Sequence, residues 1–355
     1  MSRERFWPTP AQELLLGFCL ESDSAAAARR WSDWKAKVPL DDLEYASFPL
    51  MSMVSMRLTD LGIADPDIGR IKGLHRYQWA QSQVNFRGKR ALIDALGRES
   101  VPVLLLRGAA LACSVYREPS ARGWQDTQIL IPMAEAARAV SGLAGHGWMA
   151  RDFNAARPSP HGCGLLHQEH GEAWLYWRPM RAEHPPRVAE DWWSSARPIQ
   201  YETLQASVSC GADELLHACE NGMNAMYPTS LLWLVDCVLL IRNSQPAMDW
   251  ERVIEQSRRF KLPLYMSSLL AYLREHFEAS IPAEVIATLD RMPVPLGGRI
   301  EYYLSSRPDD YRSSVRFKAV AAAGRYLGMR SGERLAQLRR DLPHWLRVLR
   351  RPAAR

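Results

Sequence analysis

The chain has 355 residues, 47% hydrophobic and 24% charged, with 45 Lys and Arg against 39 Asp and Glu. This is the composition of an ordinary soluble globular protein rather than a low-complexity one, and the length allows two or three domains or one core with helical additions. The net charge of +6 is concentrated at one end: Arg330 to Arg355 holds eight arginines against Glu333 and Asp341.

That basic tail invites contact with nucleic acid or an acidic partner. Leu335, Leu338, Leu342, Leu346 and Leu349 recur between its arginines at helical spacing, which equally describes a solvated helix face. The apolar run Leu14 to Leu20 is too short to span a bilayer and meets Glu21 and Asp23 at once, so a cytoplasmic chain without a membrane span is expected. Six scattered cysteines with no C-x-x-C pair read as reduced, mostly buried thiols.

In chain order, Thr9-Pro10 followed by Gln12 has the form of a capping box with proline at the first helical position. Further helices are predicted over Ser24 to Val38, Glu44 to Leu61 and Asp65 to Leu96, the last stopping at Gly97. The texture then changes. Val101 to Leu106 is a continuous apolar run ending at Arg107-Gly108, as for a buried strand turning into a helix over Ala109 to Val115. Ile129 to Ile131 forms a second strand, and Pro132 opens a helix to Leu143.

Trp148 to Phe153, Gly164 to Gln168 and Ala173 to Trp177 are short strand candidates, with a turn at His170-Gly171. The Pro-, Arg- and Trp-rich segment 178–200 is expected to run over the surface. From Tyr201 onward helices are predicted over Ala212 to Asn224, Ser230 to Asn243, Trp250 to Phe260, Tyr265 to Glu278 and Pro282 to Arg291. The expected organisation is a helical region (1–97), a small α/β core (98–200) and a second helical region (201–355) that carries the basic tail.

The core holds a distinctive series: Leu106-Arg107-Gly108-Ala109-Ala110-Leu111, then Tyr116, Pro119, Arg122 and Asp126-Thr127-Gln128-Ile129-Leu130-Ile131-Pro132. It resembles the uncharacterised nucleotidyltransferase family of bacterial accessory proteins, whose pattern is L-K-G-x-x-L followed by R-x-x-x-D-x-D-L-L-V. Gly145 to Trp148, Ala173 to Trp177, Leu215-Leu216-His217, Trp233 to Asp236 and Asp249 to Arg252 follow in the family's order. The similarity covers roughly residues 10 to 290.

The resemblance implies an α+β fold: a small mixed-sheet, polymerase-β-like nucleotidyltransferase core flanked by N- and C-terminal helical regions. It implies transfer of a nucleoside monophosphate from an NTP to a small molecule or peptide, with carboxylates on two strands holding Mg²⁺. Carried over, Asp126 matches the first carboxylate and metal ligand, while Gln128 stands in place of the second. Trp174 falls where the third is expected, and Tyr176 replaces a histidine, both lining the cleft. Arg107 replaces a lysine, and Arg107, Gly108 and Arg122 are the implied phosphate binders.

An amide binds Mg²⁺ more weakly than a carboxylate, so metal binding is expected to be weak or absent. Glu172, two residues before Trp174, would restore an acid on the same strand face under a two-residue shift of the alignment.

His161, Cys163, His167 and His170 gather four potential zinc ligands within ten residues. Their spacing matches no common zinc pattern, and a histidine-bearing hairpin beside the cleft is the plainer reading. Trp174, Trp177, Trp192 and Trp193 could line a groove for a base or peptide, or pack the core. Asp213, Glu214 and His217 share a helix face at spacings that suit a helix-face pair or an acid–base pair. No P-loop, G-x-S-x-G or strand-borne G-x-G-x-x-G is present. Two functions stay open: a divergent nucleotidyltransferase, or a non-catalytic relative that keeps the fold for binding or scaffolding a protein partner.

Overall fold

The computed structural model describes residues 6–123, 128–156, 159, 161–180, 188–201, 204–223, 230–244 and 246–306. Asp126 and the basic tail lie outside these residues.

The chain opens with α1 (Pro10–Leu20), where Thr9 and Gln12 form the reciprocal capping box expected from sequence. Next come α2 (Ser24–Lys35), capped by the Asp23 carboxylate, then α3 (Met51–Asp60) and the 31-residue α4 (Ile68–Arg98). The sheet region interleaves α5 (Arg107–Ser114), α6 (Pro119–Arg122), α7 (Ala136–Gly145) and α8 (Val188–Ser194) with seven strands. These are β1 (Leu104–Leu105), β2 (Gln128–Leu130), β3 (Met149–Arg151), β4 (Gly162–His167), β5 (Gly171–Tyr176), β6 (Arg197–Tyr201) and β7 (Leu204–Val208).

They form one mixed sheet in the order β3-β4-β5-β2-β1-β7-β6. β1 runs parallel to β7 and β2 parallel to β5, and the other neighbours are antiparallel. This is the expected α+β architecture.

Alternation along the strands divides the sheet into two faces. Leu105, Ile129, Ile131, Leu165, Ala173, Leu175 and Trp177 share a core with Phe86, Leu92 and Leu96 of α4 and with Ala139 and Leu143 of α7. The last turns of α4, expected to belong to a separate N-terminal region, thus supply part of the sheet's own core. Gln128, Gly162, Gly164, Trp174 and Tyr176 alternate onto the other face.

Two strands were not anticipated. Segment 178–200 was expected to run over the surface and the chain to be helical from Tyr201, yet α8, β6 and β7 fall there. β6 is the sheet's terminal strand, the position where Pro198 costs least because one side needs no ladder hydrogen bonds.

The following helices are α9 (Gly211–Gly222), α10 (Leu232–Asn243), α11 (Trp250–Arg259), α12 (Pro263–Phe277) and α13 (Ala283–Asp290), close to the spans predicted. α9 and α10 pack closely because Gly222 has no side chain where the Trp233 ring lies. Residues Pro8–Asp290 make one compact unit. The described residues outside it, Phe6, Trp7 and 291–306, belong to a second, in which the Phe6 ring lies 6.0 Å from that of Tyr302 on α14 (Leu296–Ser305). No helix among the described residues is long and apolar enough to cross a membrane.

Candidate functional site

The site is built where β1 gives way to α5. The Leu106 N–H donates to the Gln128 carbonyl at 3.1 Å, which brings the start of α5 beside the first residue of β2. Arg107 opens the helix with φ +54°, a left-handed backbone costing an L-residue roughly 1–2 kcal/mol. A specific contact holds it there: Arg107 Nε donates to Nε2 of His217, 3.0 Å away on α9.

His217 is 1% exposed. Burial, and then the Arg107 cation, push its pKa well below the usual histidine range, so the ring is neutral and Nε2 carries the accepting lone pair. The Arg107–His217 contact spends one guanidinium N–H and leaves the others to the cleft.

Gly108 serves a different neighbour. A Cβ on it would lie 2.7 Å from Cζ of Arg122, so the missing side chain makes room for that guanidinium. Arg122 in turn grips Asp236 of α10 with both arms: Nε to Oδ1 at 3.1 Å and Nη2 to Oδ2 at 3.0 Å. Tyr116 adds a hydroxyl to Oδ1 at 2.7 Å. The side chains of Arg122 and Asp236 are 10% and 4% exposed, which makes this a buried bidentate pair.

Arg107, Gln128, His161, Tyr176, Arg178, Met180, His217, Glu220 and Asn221 are among the residues that line a cleft of about 130 Å³. Gln128 is buried and sits directly beside Trp174 in the parallel β2–β5 register, while Leu130 pairs with Tyr176. The structure therefore brings Arg107, Gln128 and Tyr176 together at one cleft, with Trp174 next along β5. Arg122 is turned to Asp236 instead.

The other constellations resolve differently. Glu172 is exposed and pairs with Arg151 at 2.9 Å. Trp177 and Trp192 are buried, whereas Trp174 is 45% exposed. His167 and His170 stack on each other with ring centroids 4.4 Å apart and lie against Trp148, and the His167 Nδ1 accepts the backbone N–H groups of the turn.

Asp213, Glu214 and His217 share a helix but take three separate partners. Asp213 accepts Arg252 Nε at 3.0 Å and Nη2 at 2.7 Å, Glu214 accepts the Ser209 hydroxyl, and His217 takes Arg107.

Among the described residues no group of three or more His, Cys, Asp or Glu could hold a metal ion. Gln128 offers an amide, Trp174 an indole, and Glu220 is the carboxylate of the cleft lining. These described residues alone do not fit a clamp for two divalent cations, which needs several carboxylate oxygens at close range, and Asp126, the expected metal ligand, lies outside them.

Residues 70–278 match the model of a family described as uncharacterised nucleotidyltransferase. The chain belongs to that family. No curated protein and no solved structure matches it. The family region starts within α4 and ends just past α12, so it contains all seven strands and every residue of the cleft.

Sequence reading missed Arg178 and Glu220 as cleft residues, and missed Asp236 and His217 as partners of the two arginines. The L-L-H and L-V-D motifs were visible, but nothing in one sequence pairs positions more than a hundred residues apart.

Proposed function

We propose that this nucleotidyltransferase-family chain binds the phosphates of a nucleoside triphosphate in the cleft between α5, β2, β5 and α9. Arg107 and Arg178 supply the positive charge, and the Gly108 N–H at the start of α5 adds a donor. The observation that carries this reading is the Arg107–His217 contact. A buried, neutral histidine acceptor fixes the arginine fork without neutralising it, so its charge is left for a ligand.

Arg122 acts here as a positioning residue, tying α6 to α10 beside Gly108. Mg²⁺ is not assigned a step, because the described lining lacks the carboxylates to hold it.

Transfer of the nucleoside monophosphate to a small molecule or peptide is the second reading. It is favoured by Asp126, which stands two residues before Gln128 in the sequence. Binding or scaffolding without turnover is the alternative. Labelled NTP incubated with the protein and a cell extract as acceptor source separates the two. Product formed by wild type and lost in Asp126→Asn supports transfer, and retention of label in Asp126→Asn contradicts it. NTP binding without product across all four nucleotides leaves the binding protein.

A further inference from the structure

The sheet face that lines the cleft continues past it along β5. Trp174 and Tyr176 sit at successive same-face positions, about 6.5 Å apart along the strand. Their rings are nearly parallel, with centroids 6.4 Å apart and planes 18° from one another. Across the ladder, β4 faces them with Gly164 and Gly162. A Cβ at Gly162 would lie 3.0 Å from Cδ1 of Tyr176, and one at Gly164 would lie 3.5 Å from Cζ3 of Trp174. At Gly162 a Cβ would meet the Leu175 carbonyl first, at 2.2 Å, whereas at Gly164 it would only touch the indole, so the two rings lie against the bare backbone of β4.

An aromatic laid over a cross-strand glycine covers the bare backbone there and keeps its own outer face open. Trp174 remains 45% exposed, one of the largest apolar groups presented to solvent on the sheet. At the other end of the pair Tyr176 lines the cleft, and Arg178, two residues on, lines it with Arg107. The order along β5 and just past its end is indole, phenol, then Arg178, which shares the cleft with Arg107.

We infer that Trp174 and Tyr176 form a stacking platform for the base of the nucleotide whose phosphates sit at Arg107 and Arg178. The ligand class follows from the adjacency: a planar aromatic ring covalently joined to an anionic group. Stacking on an indole contributes affinity with little base discrimination, because every base has a π-face, so purines should bind somewhat tighter than pyrimidines without a strict preference. The inference rests on the phosphate reading above, and the probes below separate the two.

The experiment is calorimetric titration of wild type, Trp174→Ala and Trp174→Phe with ATP, tripolyphosphate and adenosine. The platform predicts that Trp174→Ala weakens ATP on the order of tenfold and leaves tripolyphosphate unchanged, while Trp174→Phe keeps most of the ATP affinity. Equal ATP affinity in wild type and Trp174→Ala overturns the platform and leaves the phosphate site standing. Adenosine binding that depends on Trp174 without any tripolyphosphate binding supports the platform and removes the phosphate site. No binding of any probe to wild type overturns both.

Discussion

The guanidinium of Arg122 occupies the space that a side chain on Gly108 would fill, with Cζ 2.7 Å from where that Cβ would stand. Gly108→Ala must therefore displace a group that is itself committed to buried Asp236. The expected loss is about 1–3 kcal/mol, the usual cost of overpacking, read from urea unfolding.

Removing one partner of that pair should cost more than removing both. Arg122→Met leaves Asp236 buried with only the Tyr116 hydroxyl, at an expected cost of about 3–5 kcal/mol. Arg122→Met with Asp236→Leu removes the stranded charge and should be less destabilised than Arg122→Met alone. Simple additivity of the two single changes in a double-mutant cycle would contradict the pairing.

Arg252 makes a second test of the same physics at the α8–α9–α11 junction. Its fork meets Asp213, which has no exposed surface and whose pKa is raised by burial, with Ser195 Oγ donating to the same carboxylate at 2.8 Å. Arg252→Met is expected to cost several kcal/mol, and Asp213→Asn less, because the amide oxygen still accepts. Equal melting temperatures for wild type and Arg252→Met would refute this.

Glu214 gives a pH signature. Burial, reinforced by Asp213 and Asp236, raises its pKa to about 8 against opposing contributions from Ser209 and Arg107. Because the folded value is raised, the folded state holds a proton that the unfolded state has released across roughly pH 4.5–8. Stability from this group is complete below the unfolded pKa and is lost as pH rises through about 8. Glu214→Gln should match wild type near pH 5 and melt higher than wild type near pH 9. Parallel melting curves across that range would show that Glu214 is ionised in the fold.

His217 has the opposite sign. Its folded pKa is lowered, so its contribution is present above the ordinary histidine range and is lost as pH falls below it.

The helices were largely legible in sequence because their caps and apolar periods are local: Thr9, Pro10 and Gln12 mark the start of α1 within four residues. The central strands were legible as apolar runs, Val101 to Leu106 and Ile129 to Ile131. β6 and β7 were not, because R-P-I-Q-Y and L-Q-A-S-V break the apolar run with polar residues, and the proline of β6 is accommodated only by that strand's place at the sheet's edge.

The site was legible in part. Arg107, Gln128 and Tyr176 were named from the motif and meet at one cleft. Arg122 was read as a phosphate binder because the sequence could not show that it reaches Asp236, 114 positions away, past the Cα of Gly108.

Metal affinity tests what Gln128 replaces. Wild type is expected to bind Mn²⁺ weakly without nucleotide, and Gln128→Asp, which sets a carboxylate in the cleft beside Arg107, to bind it more tightly. Tight stoichiometric Mn²⁺ binding by wild type in calorimetry would mean that the cleft holds a metal through other ligands.

The central claim is that His217 holds Arg107 as a preformed anion site. Its most direct test is the affinity of wild type, Arg107→Met and His217→Leu for tripolyphosphate, measured by calorimetry at pH 7.5 without divalent metal. The account predicts that Arg107→Met abolishes measurable binding. It also predicts that His217→Leu, with Arg107 intact but unanchored, weakens it while the fold is retained by circular dichroism. Binding by Arg107→Met as strong as that of wild type would contradict the account.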